Sequence, residues 1–229
     1  TLTEPNQNFL FTLTGPAGLV FQAGDDTDLN EGVDGTDTIV VNGGSGAEEF
    51  SANANGTRVR FDRVTPAPFS LDIGSSEKLQ LAANGGNDSF VGGNGLAGLI
   101  EITVDGGEGN DNLRGGDGND VLLGGAGNDV VIGGRGNDVA LLGADNDRFD
   151  WDPGEGSDIV EGQAGRDRML FNGSNGDEEF NTSANGGRVR FTRDVGNIVM
   201  DLNDVEDILL NAKGGNDQVK VSDLSGTDI

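Results

Sequence analysis

Between Gly106 and Asp150 the apolar positions of the chain fall into a strict period of nine: Leu113, Leu122, Val131, Ala140 and Phe149. Each sits at the centre of a triplet that follows a glycine-rich stretch, in the segments GGEGNDNLR, GGDGNDVLL, GGAGNDVVI, GGRGNDVAL and LGADNDRFD. A triplet whose middle residue points one way and whose flanks point the other is strand periodicity. The six residues left over suffice for a tight turn, and glycine interrupts every stretch that could carry a 3.6-residue apolar period. The pattern predicts short strands at Ile39–Val41, Val121–Leu123, Val130–Ile132 and Val139–Leu141, and no helices. Longer polar and apolar alternation predicts a hairpin, with Phe50–Ala52 and Arg58–Phe61 joined by Asn53-Ala54-Asn55-Gly56. Phe180–Thr182 and Arg188–Phe191 repeat the arrangement.

That recurrence belongs to a second, longer repeat. Residues 24 to 63 match 154 to 193 at an offset of 130, including EEF at 48–50 and 178–180 and RVRF at 58–61 and 188–191. After a one-residue deletion, GGND at 85–88 aligns with 214–217. The expected organisation is a lead-in over 1–23, a first β module over 24–91, a central nonapeptide block over 92–150, a second module over 151–220, and the start of a further repeat over 221–229. The termini, Thr1 and a repeat broken at Ile229, suggest a segment of a longer protein.

Composition narrows the chemistry. Forty acidic residues against 14 basic ones give a net charge of −26, which disfavours nucleic acid and anionic membrane surfaces as partners. No run is long enough for membrane insertion. Only 34% of residues are hydrophobic, so the chain stays disordered unless something neutralises its carboxylates. Cysteine, histidine and tyrosine are absent. That removes thiolate and imidazole metal ligands and the commonest general base, leaves oxygen ligands for a hard cation, and argues against an enzyme.

Each central nonapeptide carries aspartate at its sixth position: Asp111, Asp120, Asp129, Asp138 and Asp147. Glycines at the first, second and fourth positions allow a tight turn with carbonyl oxygens free to point inward. If two nonapeptides make one coil, repeats n and n+2 stack at about 4.8 Å. Like charges at that spacing repel unless a cation lies between them. Calcium accepts six to eight oxygens in a flexible shell, whereas magnesium demands a rigid octahedron. Degenerate copies place Asp28, Asp37, Asp88, Asp158, Asp167 and Asp217, while GGNGLAGLI has Ala97 where aspartate is expected.

GGDGND, GGAGND and GGRGND resemble the RTX, or hemolysin-type, calcium-binding repeat GGxGxDxUx. The resemblance implies an all-β, right-handed parallel β-roll, here with two similar flanking modules carrying hairpin arms. It implies calcium held by Asp111, Asp120, Asp129 and Asp138, with backbone carbonyls of Gly106, Glu108, Gly115, Asp117, Gly124, Ala126, Gly133 and Arg135. Asp147, Asp158, Asp167, Asp37, Asp28, Asp88 and Asp217 follow in more divergent turns. Counting stacked turns gives roughly four to eight ions. The resemblance also implies a larger secreted bacterial protein, exported unfolded by a type I pathway and folding outside the cell on calcium. The alternative is a surface-layer or adhesin segment that self-associates or presents a surface to a protein partner. With a Kd of about 10⁻⁴ M, millimolar calcium stabilises by ~1.4 kcal/mol per site, so five sites give ~7 kcal/mol, the scale of a whole domain.

Three further features have local readings. Asp26, Asp28, Asn30 and Asp37 are spaced as in an EF-hand loop, but Glu31 stands where that loop needs glycine. Trp151 reads as a packing anchor after the last repeat. Val121, Leu123, Val139 and Leu141 form an apolar outer face, which the module hairpins are expected to cover through Phe50, Val59, Phe61, Phe180, Val189 and Phe191. Failing that, a partner covers it.

Overall fold

The computed structural model describes residues 21–23, 38–74 and 76–229, the first of these by backbone alone. Asp28, Asp37 and the EF-hand-like stretch lie outside the described residues. In chain order the strands are β1 Phe21–Ala23, β2 Thr38–Asn42, β3 Glu49–Asn55, β4 Arg58–Thr65, β5 Phe69–Ile73, β6 Lys78–Ala82 and β7 Ser89–Gly92. The central block supplies β8 Glu101–Glu108, β9 Asn112–Arg114, β10 Val121–Ala126, β11 Val130–Ile132, β12 Val139–Ala144 and β13 Arg148–Trp151. There follow β14 Ile159–Ala164, β15 Arg168–Asn172, β16 Glu179–Asn185, β17 Arg188–Arg193, β18 Ile198–Asn203, β19 Asp207–Asn211 and β20 Gln218–Val221. No helix occurs among the described residues.

Successive strands of the central block alternate between two sheets, so the chain winds as a parallel β-roll. One sheet runs β1-β2-β6-β8-β10-β12-β14-β18-β17-β16-β20 and the other β19-β15-β13-β11-β9-β7-β3-β4-β5. Pairing joins strands two apart in sequence: Leu122 lies beside Val104 and Ala140, and Val131 beside Leu113 and Phe149. The eighth positions of the nonapeptides therefore point inward from both sheets, and Leu113, Leu122, Val131, Ala140 and Phe149 are all fully buried. Nine residues thus make half a coil, as the repeat predicts.

The hairpins differ from expectation in length and placement. Asn53 to Asn55 belong to β3, and the turn is two residues, Gly56 and Thr57, with Gly56 at φ 68°. A third strand, β5 or β18, completes each arm. The arms do not cover the roll: they lie in the sheets, the first at the edge of its sheet and the second between β14 and β20. Strand alternation turns Phe50, Val59, Phe61, Phe180, Val189 and Phe191 to the interior, where all are buried. Val121, Leu123, Val139 and Leu141 remain half-buried on the outer face. Trp151 anchors the second module, stacked on Phe171 at 4.0 Å between ring centres, with Phe191 4.7 Å beyond.

Ten single strands, β6 to β15, separate the two arms. Because they alternate between the sheets and their number is even, the same module enters opposite sheets: β2 and β15 are sequence equivalents but belong to different sheets, and so do β3 and β16.

Candidate metal centre

Along each edge of the roll the turns stack, and their sixth-position aspartates form ladders. On one edge the backbone N–H of Glu48 donates to Asp88 Oδ1 at 2.7 Å, Asp88 to Asp111 at 2.7 Å, Asp111 to Asp129 at 2.7 Å, Asp129 to Asp147 at 2.8 Å, and Asp147 to Asp167 at 2.8 Å. Asp167 N–H ends the series on Glu206 Oε2 at 2.6 Å. On the other edge Asp120 donates to Asp138 at 2.8 Å and Asp138 to Asp158 at 2.9 Å. The carboxylates are nearly inaccessible, with Asp167 at 0% and Asp147 the most exposed at 4%. The parallel register fixes this arrangement, since a nine-residue half-coil returns every sixth position to the same height.

One oxygen of each carboxylate is thus spoken for, and the other is not. Oδ2 of Asp88, Asp111, Asp129, Asp138, Asp147, Asp158 and Asp167 is buried without a hydrogen-bond partner. Native interiors leave few such atoms, and each calls for a cause. Where the turn opens on glycine, the aspartate oxygen lies over it: a methyl carbon on Gly124 would stand 2.6 Å from Asp129 Oδ2 and would also collide with the Leu142 carbonyl of the next coil. Gly106 stands in the same relation to Asp111 Oδ2 and the Gly124 carbonyl, and Gly115 to Asp120 Oδ2 and the Gly133 carbonyl. At these three glycines the cradle therefore brings a carboxylate oxygen and a carbonyl oxygen from adjacent coils together, and a side chain there would fill it.

Burial first, and the neighbouring ladder carboxylates second, push these groups up from the usual 3.8. Asp88, Asp129 and Asp167 reach about 6, Asp138 and Asp147 about 7, and Asp158 about 8. Asp120 is raised to about 6 and Asp111 is raised as well, both chiefly by burial. Without a counter-charge the ladder resists ionising near neutral pH. Among the described residues no three acidic side chains converge on one point, so a cation here would draw on carboxylates of adjacent turns together with backbone carbonyls. Hard oxygen donors of that kind fit calcium.

The carbonyls expected to assist are partly engaged: Glu108 O accepts from Gly86 N–H and Ala126 O from Gly109 N–H, both at 2.8 Å, leaving a second lone pair on each. Asp217 sits apart from both ladders, half-buried, with Oδ1 accepting from Glu178 N–H at 3.1 Å. The turn with Ala97 solves its missing aspartate differently. Asp117 reaches across from the adjacent coil and accepts from the N–H groups of Gly95, Leu96 and Ala97 at 2.7, 2.8 and 2.9 Å. The Gly95 and Ala97 amides hold its carboxyl below the ordinary range.

Residues 43–48 and 173–178 are further turns of the same frame, which the search for sixth-position aspartates passes over because they end in Glu48 and Glu178. Their carboxylates bind the guanidinium groups of Arg63 and Arg193, and all four side chains are buried. Burial raises Glu178, but the Ser174 amide and the Arg193 guanidinium outweigh it and hold the carboxyl low. The signal that could have found these turns is their shared GxxGxE spacing, preserved through the 130-residue duplication.

The family model of the RTX calcium-binding nonapeptide repeat, in four copies, matches residues 80–95, 105–140 and 154–177. No curated protein and no solved structure matches the chain. The matched segments hold the ladder aspartates from Asp88 to Asp167 except Asp147, which stands between two of them in the same roll. In these segments the chain is similar to the RTX calcium-binding nonapeptide repeat family.

Proposed function

We propose that calcium ions fill the two ladders and that their binding drives the folding of this chain outside the cell, as part of a larger secreted bacterial protein. Asp88, Asp111, Asp129, Asp147 and Asp167 would hold calcium along one edge, and Asp120, Asp138 and Asp158 along the other. The observation that carries this reading is the run of seven buried carboxylate oxygens without a partner. A bound ion supplies the positive charge that offsets their desolvation and mutual repulsion. The chain contributes the rest: parallel strands hold successive turns in register, the first glycines leave the cradles open, and the ladder of N–H donors orients each carboxylate. No helix among the described residues is long and apolar enough to cross a membrane; strands are a separate matter.

Calcium titration calorimetry with magnesium as control, paired with circular dichroism in chelator, tests the proposal. Strand signal that rises with calcium and not with magnesium supports it. A spectrum unchanged between chelator and about 1 mM calcium, the upper range of extracellular module affinities, refutes it. A second reading, a segment that self-associates in a surface array, is favoured by the outer face on which Val121, Val139 and Ile159 stand side by side in register, Ile159 at 41% exposure. Light scattering that grows with calcium would select it.

A further inference from the structure

Turns 43–48 and 173–178 reproduce the metal turns up to the last step. Glu48 Oε2 accepts from Gly44 N–H and Glu178 Oε2 from Ser174 N–H, each at 2.7 Å, as Asp120 Oδ2 accepts from Gly116 N–H at 2.6 Å. A methyl carbon on Gly173 would stand 2.6 Å from Glu178 Oε2, the distance found between Gly124 and Asp129 Oδ2. The longer glutamate side chain therefore lays its carboxylate over the same glycine cradle. The partners of the two oxygens are where they part: the cradle oxygen Oδ2 is orphaned in seven ladder aspartates, whereas in both glutamates the cradle oxygen Oε2 accepts from an N–H and the other oxygen, Oε1, binds guanidinium.

The location of the two exceptions has a physical reason. A ladder site needs a glycine turn on the adjacent coil, and the arms interrupt the stack. Beside β3 on one side, and beside β16 on one side, stands an antiparallel strand, β4 or β17, that brings no such turn. It brings instead its own C-terminal end to the edge, and there lie Arg63 and Arg193. The 130-residue repeat carries both members of the pair, and the match to the calcium repeat stops at residue 177, one short of Glu178.

We propose that turns 43–48 and 173–178 are cation sites filled by the protein's own guanidinium, so that they need no calcium, and that each becomes a divalent-cation site once its arginine is removed. The inference rests on the calcium reading of the ladders. It makes the module cores the part of the roll whose charge balance is complete without metal. Arg193 stands 5.4 Å from the ring centre of Trp151, the only tryptophan, so the second module carries its own reporter.

The test uses the full chain and its Arg193→Ala variant. Calorimetry should show one calcium ion more for the variant than for the parent, and terbium emission sensitised by Trp151 should rise. In chelator the variant should expose Trp151, with a red-shifted emission that about 10 mM calcium reverses, a concentration above the weakest extracellular affinities of about 10⁻³ M. The double variant Glu178→Gln/Arg193→Ala, which lacks the carboxylate, should gain neither ion nor terbium signal. The inference is overturned by an unchanged calcium count in Arg193→Ala, by a gain that persists in the double variant, or by a Trp151 that stays exposed at about 10 mM calcium. A parent chain that binds no calcium sinks the ladder reading and this inference with it, whereas a parent that binds normally beside a variant without gain sinks this inference alone.

Discussion

Replacing Asp129 by asparagine should change stability in opposite directions with and without calcium. The carboxylate is 1% exposed, its Oδ1 accepts from Asp111 N–H, and its Oδ2 has no partner. Burial, with the charges of Asp111 and Asp145, moves it from 3.8 to about 6. A displacement of roughly two units corresponds to roughly 3 kcal/mol by which the ionised group disfavours the metal-free fold above that pH. Asparagine keeps the acceptor for Asp111 and removes the charge, so in chelator Asp129→Asn should stabilise by up to about that amount. In calcium, on the proposed function, the same change deletes a ligand that faces Asp111 on one side and Asp147 on the other. One or two sites at ~1.4 kcal/mol each are weakened, a loss of about 1 to 3 kcal/mol at about 1 mM calcium. Denaturant midpoints by circular dichroism would measure both, with an excluded osmolyte populating the metal-free fold. If the variant loses stability equally in chelator and in calcium, Asp129 is only a hydrogen-bond acceptor and the ligand argument fails.

The ladder also fixes a pH dependence. Its folded-state carboxyls titrate above the unfolded value of 3.8, up to about 8 for Asp158. The metal-free fold therefore binds more protons than the unfolded chain between about pH 4 and 8, and its stability falls as pH rises through that window. Acidifying the chelated protein from about pH 8 to about pH 5 should raise its strand signal, and a flat profile would contradict the burial argument. Calcium must displace those protons, so its binding near pH 7 should release protons, seen as a calorimetric enthalpy that varies with the buffer. Gly124→Ala should cost about 1 to 3 kcal/mol and about one calcium ion, because the methyl enters the cradle between Asp129 Oδ2 and the Leu142 carbonyl. Gly46→Ala, where nothing lies within 4 Å, should change stability by no more than about 0.5 kcal/mol; equal losses in the two variants would dismiss the cradle.

While the parallel roll was implied by the resemblance to the RTX repeat, the nine-residue spacing of Leu113, Leu122, Val131, Ala140 and Phe149 was enough to give short strands between turns, because side-chain alternation is a local consequence of chain geometry. It also gave the pairing of Asp111 with Asp129 and of Asp120 with Asp138, since register repeats with the sequence. The arms were half legible: alternation revealed two strands of each but not that they continue the sheets, because an inward-facing phenylalanine has the same periodicity in a covering flap as in an added strand. The parity that sends identical modules into opposite sheets depends on counting strands along the whole chain. What Glu48 and Glu178 do depended on Arg63 and Arg193, 15 residues further along each chain segment, and on Asp117 the sequence offers no hint of the three amides it binds. Sequence determined which positions are equivalent, since equivalence follows from the period; only the folded packing decided which counter-charge each buried carboxylate meets, since that neighbour arrives from another strand.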